Sequence, residues 1–176
     1  MKRLLLLLLS SLLLLGCTNV GTNTNAALSA AMNDTVQVDY VGSLQSGAVF
    51  DTSVKAEAQK AGLPLRPSYS PLEFTVGSHM VIPGFENGVT GMKVGETKTV
   101  TIPPGEGYGE VQQDLIPDVP RANVPGNITV GAMLSGGGRE GKVISFNDTS
   151  VKIDFNHPLA GKTLIFKITL VNVTKH

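Results

Sequence analysis

The residues able to do chemistry are few and scattered. His79, His157 and His176 stand far apart, and no H-x-x-x-H or C-x-x-C spacing occurs, so no zinc-type ligand set is written into the chain. No G-x-S-x-G elbow marks a nucleophile. Gly136-Gly137-Gly138 lacks the Lys-Ser/Thr that follows a phosphate loop and reads as a hairpin or flexible turn. What stands out instead is a series of strings: Val38-Asp39-Tyr40-Val41-Gly42, Gly47-Ala48-Val49-Phe50-Asp51-Thr52-Ser53, Pro71 to Gly77, Met80-Val81-Ile82-Pro83-Gly84-Phe85-Glu86, Gly88 to Glu96, and Pro103-Pro104-Gly105-Glu106-Gly107-Tyr108-Gly109. They carry aromatic rings, several carboxylates and two tyrosine hydroxyls. Such groups can enclose and orient a ligand, but they supply no metal or nucleophile. Taken singly, Phe50, Phe85 and Phe166 read as core, Tyr40 as strand packing, and Asp51 as a turn or cap residue. Tyr108, held between two glycines, is the aromatic least like core.

The elements that must position these groups are mostly short strands. Gly 20 and Pro 10 over a Val/Thr/Ile background favour turns and strands over long helices. Val36, Val38 and Tyr40 alternate with Gln37 and Asp39, the period of a half-buried strand. Further strands are expected at Val49–Ser53, Leu72–Val76 and Thr97–Ile102. Lys55–Ala61 reads as a helix stopped by Gly62, and the prolines at 64, 67 and 71 make the next stretch a loop. Pro83 to Val89 reads as one short helix with proline at its first position, where a missing N–H costs nothing, and with Phe85 and Val89 on one face. Between Glu110 and Pro158 the texture changes to short β-type runs, at Ile128–Leu134 and Gly141–Phe155. Leu164–Val173, apolar on both faces, is expected inside a sheet. The ordered part is expected to begin near Asn33 or Asp34.

The chain of 176 residues is 41% hydrophobic and 16% charged, an ordinary globular composition of one or two domains. Formal net charge is zero and no basic run follows Lys2-Arg3, so no nucleic-acid partner is expected. Residues 1–16 read as a secretory signal: two basic residues, then an apolar stretch from Leu4 to Leu15 that is short for a bilayer span. Leu14-Leu15-Gly16-Cys17 looks like a lipobox. Cys17 is the sole cysteine, without an intramolecular disulfide partner. A small-residue polar stretch follows it, so 17–33 reads as a lipidated cysteine plus flexible tether. The alternative is an uncleaved anchor with an incidental cysteine. The expected place is the cell envelope, extracytoplasmic and membrane-anchored. Asn33, Asn127, Asn147 and Asn172 each begin an N-x-Ser/Thr sequon, by chance or as acceptors for glycan.

In their order, these strings resemble the FKBP family of prolyl isomerases. The tail Asp154-Phe155-Asn156-His157-Pro158-Leu159-Ala160-Gly161-Lys162, followed by Leu164-Ile165-Phe166, is similar to SlyD-type members, which carry a chaperone-like insert-in-flap domain at this point. Val54 to Ser70 looks like the loop-helix insertion of archaeal relatives. The resemblance runs from about Thr35 to Val173. It implies an α+β, mostly antiparallel fold: a half-barrel sheet wrapped on a short helix (34–110 plus 159–174), with a small all-β insert (111–158).

The same resemblance implies the site. Tyr40, Phe50 and Phe166 would line the walls around a proline ring, and Phe85 would form the floor where many relatives have tryptophan. Val81 and Ile82 would form a rim, the Ile82 N–H holding a substrate carbonyl. Tyr108 would donate its hydroxyl, and Asp51 would sit at the edge. Leu72 stands where some members have an aromatic, which implies a shallower wall. In the insert, Leu115, Ile116, Val119, Val124 and Met133, with Ile128, Val130 and Leu134, would supply an apolar surface for unfolded chains or else the insert's own small core. No cofactor is expected. No metal is expected either, since the histidine-rich tail of metal-binding relatives has no counterpart up to His176, and His157 reads as a junction residue. The expected partners are proline-containing and unfolded polypeptides, met by a monomer that isomerises prolyl bonds of exported proteins. The competing reading is a non-catalytic holdase or binding module on the same scaffold.

Overall fold

The computed structural model describes residues 28–136 and 138–176. The expected signal segment, Cys17 and the tether up to residue 27 lie outside the described residues. Strand β1 (Thr35–Leu44) buries Val36 and Val38 while Gln37 and Asp39 stay half-exposed, as the alternation predicts. Along one side it pairs with β3 (Leu72–Thr75) over Thr35–Val38 and with β2 (Val49–Thr52) over Val41–Ser43. Along its other side it pairs antiparallel with β9 (Leu164–Thr174) over its whole length, and β4 (Thr97–Ile102) pairs with the far side of β9. The five strands form one antiparallel sheet.

Between β2 and β3 lies helix α1 (Lys55–Lys60), which ends where Gly62 takes φ +68°. Helix α2 (Pro83–Val89) carries proline in its first turn and buries Phe85 and Val89 together, as the spacing predicts. Its glycines decide how it sits. A Cβ on Gly84 would lie 2.5 Å from Ile102 Cγ2, and one on Gly88 2.7 Å from Val100 Cγ2. These two positions, one helical turn apart, let the α2 backbone lie directly on β4. The core beneath joins Val36, Val38, Phe74, Val76, Phe85, Val89, Met92, Ile102, Leu164, Phe166, Ile168 and Leu170.

A second antiparallel sheet lies between β4 and β9 in the chain. Its strands are β5 (Asp118–Pro120), β6 (Met133–Gly136), β7 (Arg139–Phe146) and β8 (Ser150–Asp154), in the order β5-β8-β7-β6. Its core is small: Val143, Val151 and Ile153, with Val119, Val124, Ile128, Ala132, Leu134 and Phe155 packed against them. At its neck, the Asn156 amide accepts from Gln112 N–H and donates to Gln112 O, while Phe155 N–H donates to Leu115 O at 2.9 Å.

Three sequence expectations need correction. The run expected as a strand from Ile128 becomes one only at Met133. Gly131, at φ +92°, breaks the extended path there, and Ala132 N–H closes a turn on Thr129 O. Strand β9 is interior to its sheet, but only one of its faces is buried. Lys167 and Val171 are exposed and Thr169 half-exposed, on a face that borders a recess shared with Asp39, Val41, Glu57 and Lys60. Order also begins before Asn33. Ser29 bridges to Lys93, Ala30 N–H donates to Met92 O and Gly91 N–H donates to Ala30 O, both at 2.8 Å, and Ala30 is buried. A single alanine held mainly by backbone bonds gives no hydrophobic period to read. This segment is clasped from the other end of the chain: Lys175 Nζ donates to Ser29 O at 2.6 Å and to the buried Asp34 carboxylate at 2.7 Å. The lysine bond holds the Asp34 carboxyl below the usual carboxylate range.

Gly84→Ala should lower the urea midpoint, with a loss of about 1–3 kcal/mol from overpacking against Ile102. Ile102→Ala, which removes both Cγ atoms of that contact, should cost less beside Gly84→Ala than the two single losses added together. An unchanged midpoint in Gly84→Ala would show that α2 does not rest on β4 through this glycine.

Candidate active site

The two sheet strands at the centre set the site. Gly42 of β1 is the register partner of Phe166 on β9, and it is buried. A Cβ here would come within 2.7 Å of Phe166 Cε1 and 2.8 Å of Phe50 Cζ, so only glycine leaves room for both rings. Phe50 and Phe166 then meet edge to face at 5.6 Å. From α2, Phe85 enters beneath them, edge-on to Phe166 at 5.1 Å and to Tyr40 at 5.8 Å, and it is backed by Phe74 at 6.0 Å. Each such pair contributes about 0.5–1.5 kcal/mol beyond the area it buries, and interlocked edge-to-face rings fix one another's orientation.

Around this cluster opens a cavity of about 510 Å³, lined by Tyr40, Phe50, Asp51, Leu72, His79, Met80, Val81, Ile82, Phe85, Tyr108 and Phe166. All eight residues expected as the pocket, Tyr40, Phe50, Asp51, Val81, Ile82, Phe85, Tyr108 and Phe166, therefore meet at one place, and Leu72 joins them. Phe85 is buried beneath, while Tyr108 is 39% exposed. The rim is tied down by α2: the buried Glu86 carboxylate accepts from Gly77 N–H at 2.8 Å and from His79 N–H at 3.4 Å, and the Ile82 carbonyl accepts the first helical N–H groups from Phe85 and Glu86. His79 itself sits at φ +56° with its ring 3.4 Å from Glu86.

The polar edge is a chain of three groups. Tyr40 donates its hydroxyl to Asp51 Oδ2 at 2.6 Å, and Arg66 donates to Asp51 Oδ1 at 3.0 Å and to the Thr52 carbonyl. Arg66 also lies over the Tyr69 ring, 5.1 Å from its centre. Asp51 and Arg66 are half-exposed, so their pairing adds little stability. Its effect is orientation: both oxygens of Asp51 are engaged, and the Tyr40 hydroxyl is committed to Asp51. That leaves Tyr108 as the tyrosine hydroxyl available to a ligand. Sequence reasoning missed Arg66 and Tyr69. The available signal was that Arg66 is the only charged residue between Gly62 and Pro71. His157, expected as a junction residue, also stacks flat on Tyr108 with ring centres 3.9 Å apart.

The insert candidates separate. Val119 and Val124, with Ile128 and Leu134, pack on the core of the second sheet. Leu115 and Ile116 are half-buried near the neck, whereas Met133 and Val130 are exposed, with Ile144 and Phe146. An apolar surface there is therefore made by fewer and partly different residues than expected, because a sheet with so small a core needs its aliphatic residues inside. Cys17 lies outside the described residues. Among the described residues no cluster of three His, Cys, Asp or Glu is placed to hold a metal, and no helix is long and apolar enough to cross a membrane.

A family model for FKBP-type peptidyl-prolyl cis-trans isomerases matches residues 27–171. The chain belongs to that family. It is 42% identical, over 80% of its length and 91% of the relative's, to a short-type peptidyl-prolyl cis-trans isomerase of Methanocaldococcus jannaschii. An FKBP-type isomerase SlyD of Helicobacter pylori is 31% identical over 73% of each chain. FK506-binding protein 2 of Aspergillus oryzae is 48% identical over 43% of this chain and 48% of its own. The antiparallel FKBP-like fold and the isomerase class follow from this membership.

Burial and the bond to Asp51 push the Tyr40 hydroxyl well above the ordinary tyrosine range, so it remains a donor throughout neutral pH. Above about pH 10 the unfolded chain ionises this tyrosine while the folded chain does not, so stability falls as pH rises from there. Tyr40→Phe should be less stable at pH 7 by about 1 kcal/mol and should lose stability less steeply above pH 10 in urea titrations. Parallel slopes for the two proteins would show that Tyr40 is not the group responsible.

Proposed function

We propose that this FKBP-type isomerase acts on prolyl bonds of exported polypeptides, with the 510 Å³ cavity as its proline pocket and the second sheet as a binding surface for unfolded chains. The observation that carries the reading is the convergence of Tyr40, Phe50, Phe85 and Phe166 with Val81, Ile82 and Tyr108 around one cavity. Rotation about an X–Pro bond faces a barrier of about 18–20 kcal/mol, because the planar amide loses its resonance. No bond is made or broken, so a catalyst only has to bind the twisted amide more tightly than the planar forms. Each 1.36 kcal/mol of such preference gives about tenfold in rate. Rings that exclude water favour the less polar twisted amide.

In this reading Tyr40, Phe50 and Phe166 are the walls, Phe85 the floor and Leu72 a shallow side. Val81 and Ile82 form the rim, where the Ile82 N–H takes a substrate carbonyl. Tyr108 donates its hydroxyl to the peptide, and Asp51 holds Tyr40 in place. The exposed Val130, Met133, Ile144 and Phe146 support client capture by the second sheet, where β6 is an edge strand. The signal-like residues 1–16 and Cys17 in a lipobox support a membrane-anchored place in the cell envelope, facing proteins as they fold outside the cytoplasm.

The test is prolyl isomerisation of a Leu-Pro or Phe-Pro peptide, followed without a coupled protease, by the chain beginning after Cys17. Acceleration should fall about fivefold in Tyr108→Phe, the worth of one ordinary hydrogen bond, and about tenfold in Asp51→Ala. No acceleration by a well-folded sample would leave a non-catalytic binding module. For the second sheet, Met133→Ser with Val130→Ser should weaken suppression of aggregation of a reduced, unfolded protein several-fold. Unchanged suppression would place client capture elsewhere.

A further inference from the structure

One pair of rings joins the pocket residue Tyr108 to the segment that leaves the second sheet. Tyr108 sits on a loop whose turns are closed by Gly107 N–H and Gly109 N–H, both donating to Pro104 O, and Gly109 takes φ +82°. The glycines on either side of it bring no side chain to bear on the tyrosine ring. His157 does so from the side. The two planes are within 3° of parallel and their centres are 3.9 Å apart.

His157 is itself held on both sides. Its Nδ1 accepts from Leu159 N–H at 3.1 Å, so the ring proton sits on Nε2, and its carbonyl accepts from Ala160 N–H at 2.8 Å. Leu159 packs on the main core, and Gly161 N–H donates back to Gly109 O at 2.8 Å, next to Tyr108. On the other side, His157 directly follows the neck, where Asn156 is doubly bonded to Gln112 and also donates to Asp154 Oδ1 at the end of β8.

We propose that His157 is a positioning residue of the isomerase site: its ring sets the plane of Tyr108, and so the aim of the hydroxyl that meets the peptide, and it ties that aim to the neck of the second sheet. The proposal rests on the role of Tyr108 given above. A displacement of the neck by a client on the second sheet would reach the pocket by this route, with no contact between client and pocket.

Two substitutions separate the ring from the turn. His157→Phe keeps a flat face and removes the Nδ1 acceptor. His157→Asn keeps an acceptor for Leu159 N–H and removes the face. Both are measured for kcat/KM on a Phe-Pro peptide, alone and combined with Tyr108→Phe, and the Tyr108 ring protons are followed by NMR. We expect His157→Phe within about twofold of the parent and His157→Asn about fivefold lower, with the Asn loss shrinking below twofold once Tyr108 is phenylalanine. The Tyr108 ring protons should move in the Asn variant, where the neighbouring ring current is gone. Equal activity of both variants to the parent, the reverse order, or an undiminished Asn loss beside Tyr108→Phe would overturn the proposal. A parent chain without isomerase activity would instead sink the assigned role of Tyr108, while the NMR shifts would still report whether the stack exists.

Discussion

The antiparallel pairing of β1 with β9 is the constraint on which the remaining structure hangs. It joins Thr35–Leu44 to Leu164–Thr174, the first and last strands of the fold. β2 and β3 attach to the free side of β1, β4 attaches to the free side of β9, and α2 rests on β4 and the sheet. The pocket is a property of this one pairing. Gly42 and Phe166 face each other across it, and Tyr40 sits two residues before that glycine. Phe50 and Phe85 can close on Phe166 only once β9 is docked. No stretch of the first hundred residues assembles the site alone, and closing so long a loop is paid for in entropy before any ring contact forms.

The same pairing explains how a second sheet can be accommodated. It enters and leaves the chain between β4 and β9, and the two passing segments are bound to each other at Gln112 with Asn156 and at Leu115 with Phe155. The gap in the main fold is therefore spanned by a narrow neck. A sheet whose described residues include three buried aliphatic side chains gains from being held at both ends, since its own core is small for independent stability. What it leaves outside, Val130, Met133, Ile144 and Phe146, is apolar surface that a larger core would have absorbed.

Much of the main sheet and pocket was legible in the sequence because the signals were local. Val36 and Val38 alternate, Pro83 opens α2, and Phe85 with Val89 keeps a helical period. The eight pocket residues came from family strings and meet around one cavity. What the sequence hid depends on contacts between distant segments. Ala30 is buried by backbone pairing with Met92, which has no hydrophobic period. Arg66 reaches Asp51 from a proline-rich loop, and His157 lies beside Tyr108 although forty-nine positions separate them in the sequence. In the second sheet, aliphatic residues look alike whether they face a core or a client. Only the pairing register and the break at Gly131 decided that Val119 and Val124 turn inward while Met133 turns out.

The order of the pairing between β1 and β9 has a mechanical side. Thr35 lies opposite Thr174, so the first residue of one strand and the last of the other sit at the same end of the sheet, with the Lys175–Asp34 pair beside them. Tension applied between Leu28 and the end of β9 would load the bonds of Ala30 to Met92 and Gly91 and that clasp first, and then each rung in turn, as in a zipper. It would not load all the rungs at once, as in a shear joint. A protein built this way yields to stretching at low force and stepwise from its edge, and Phe166, eight residues in from the loaded end, would be among the later rungs to open.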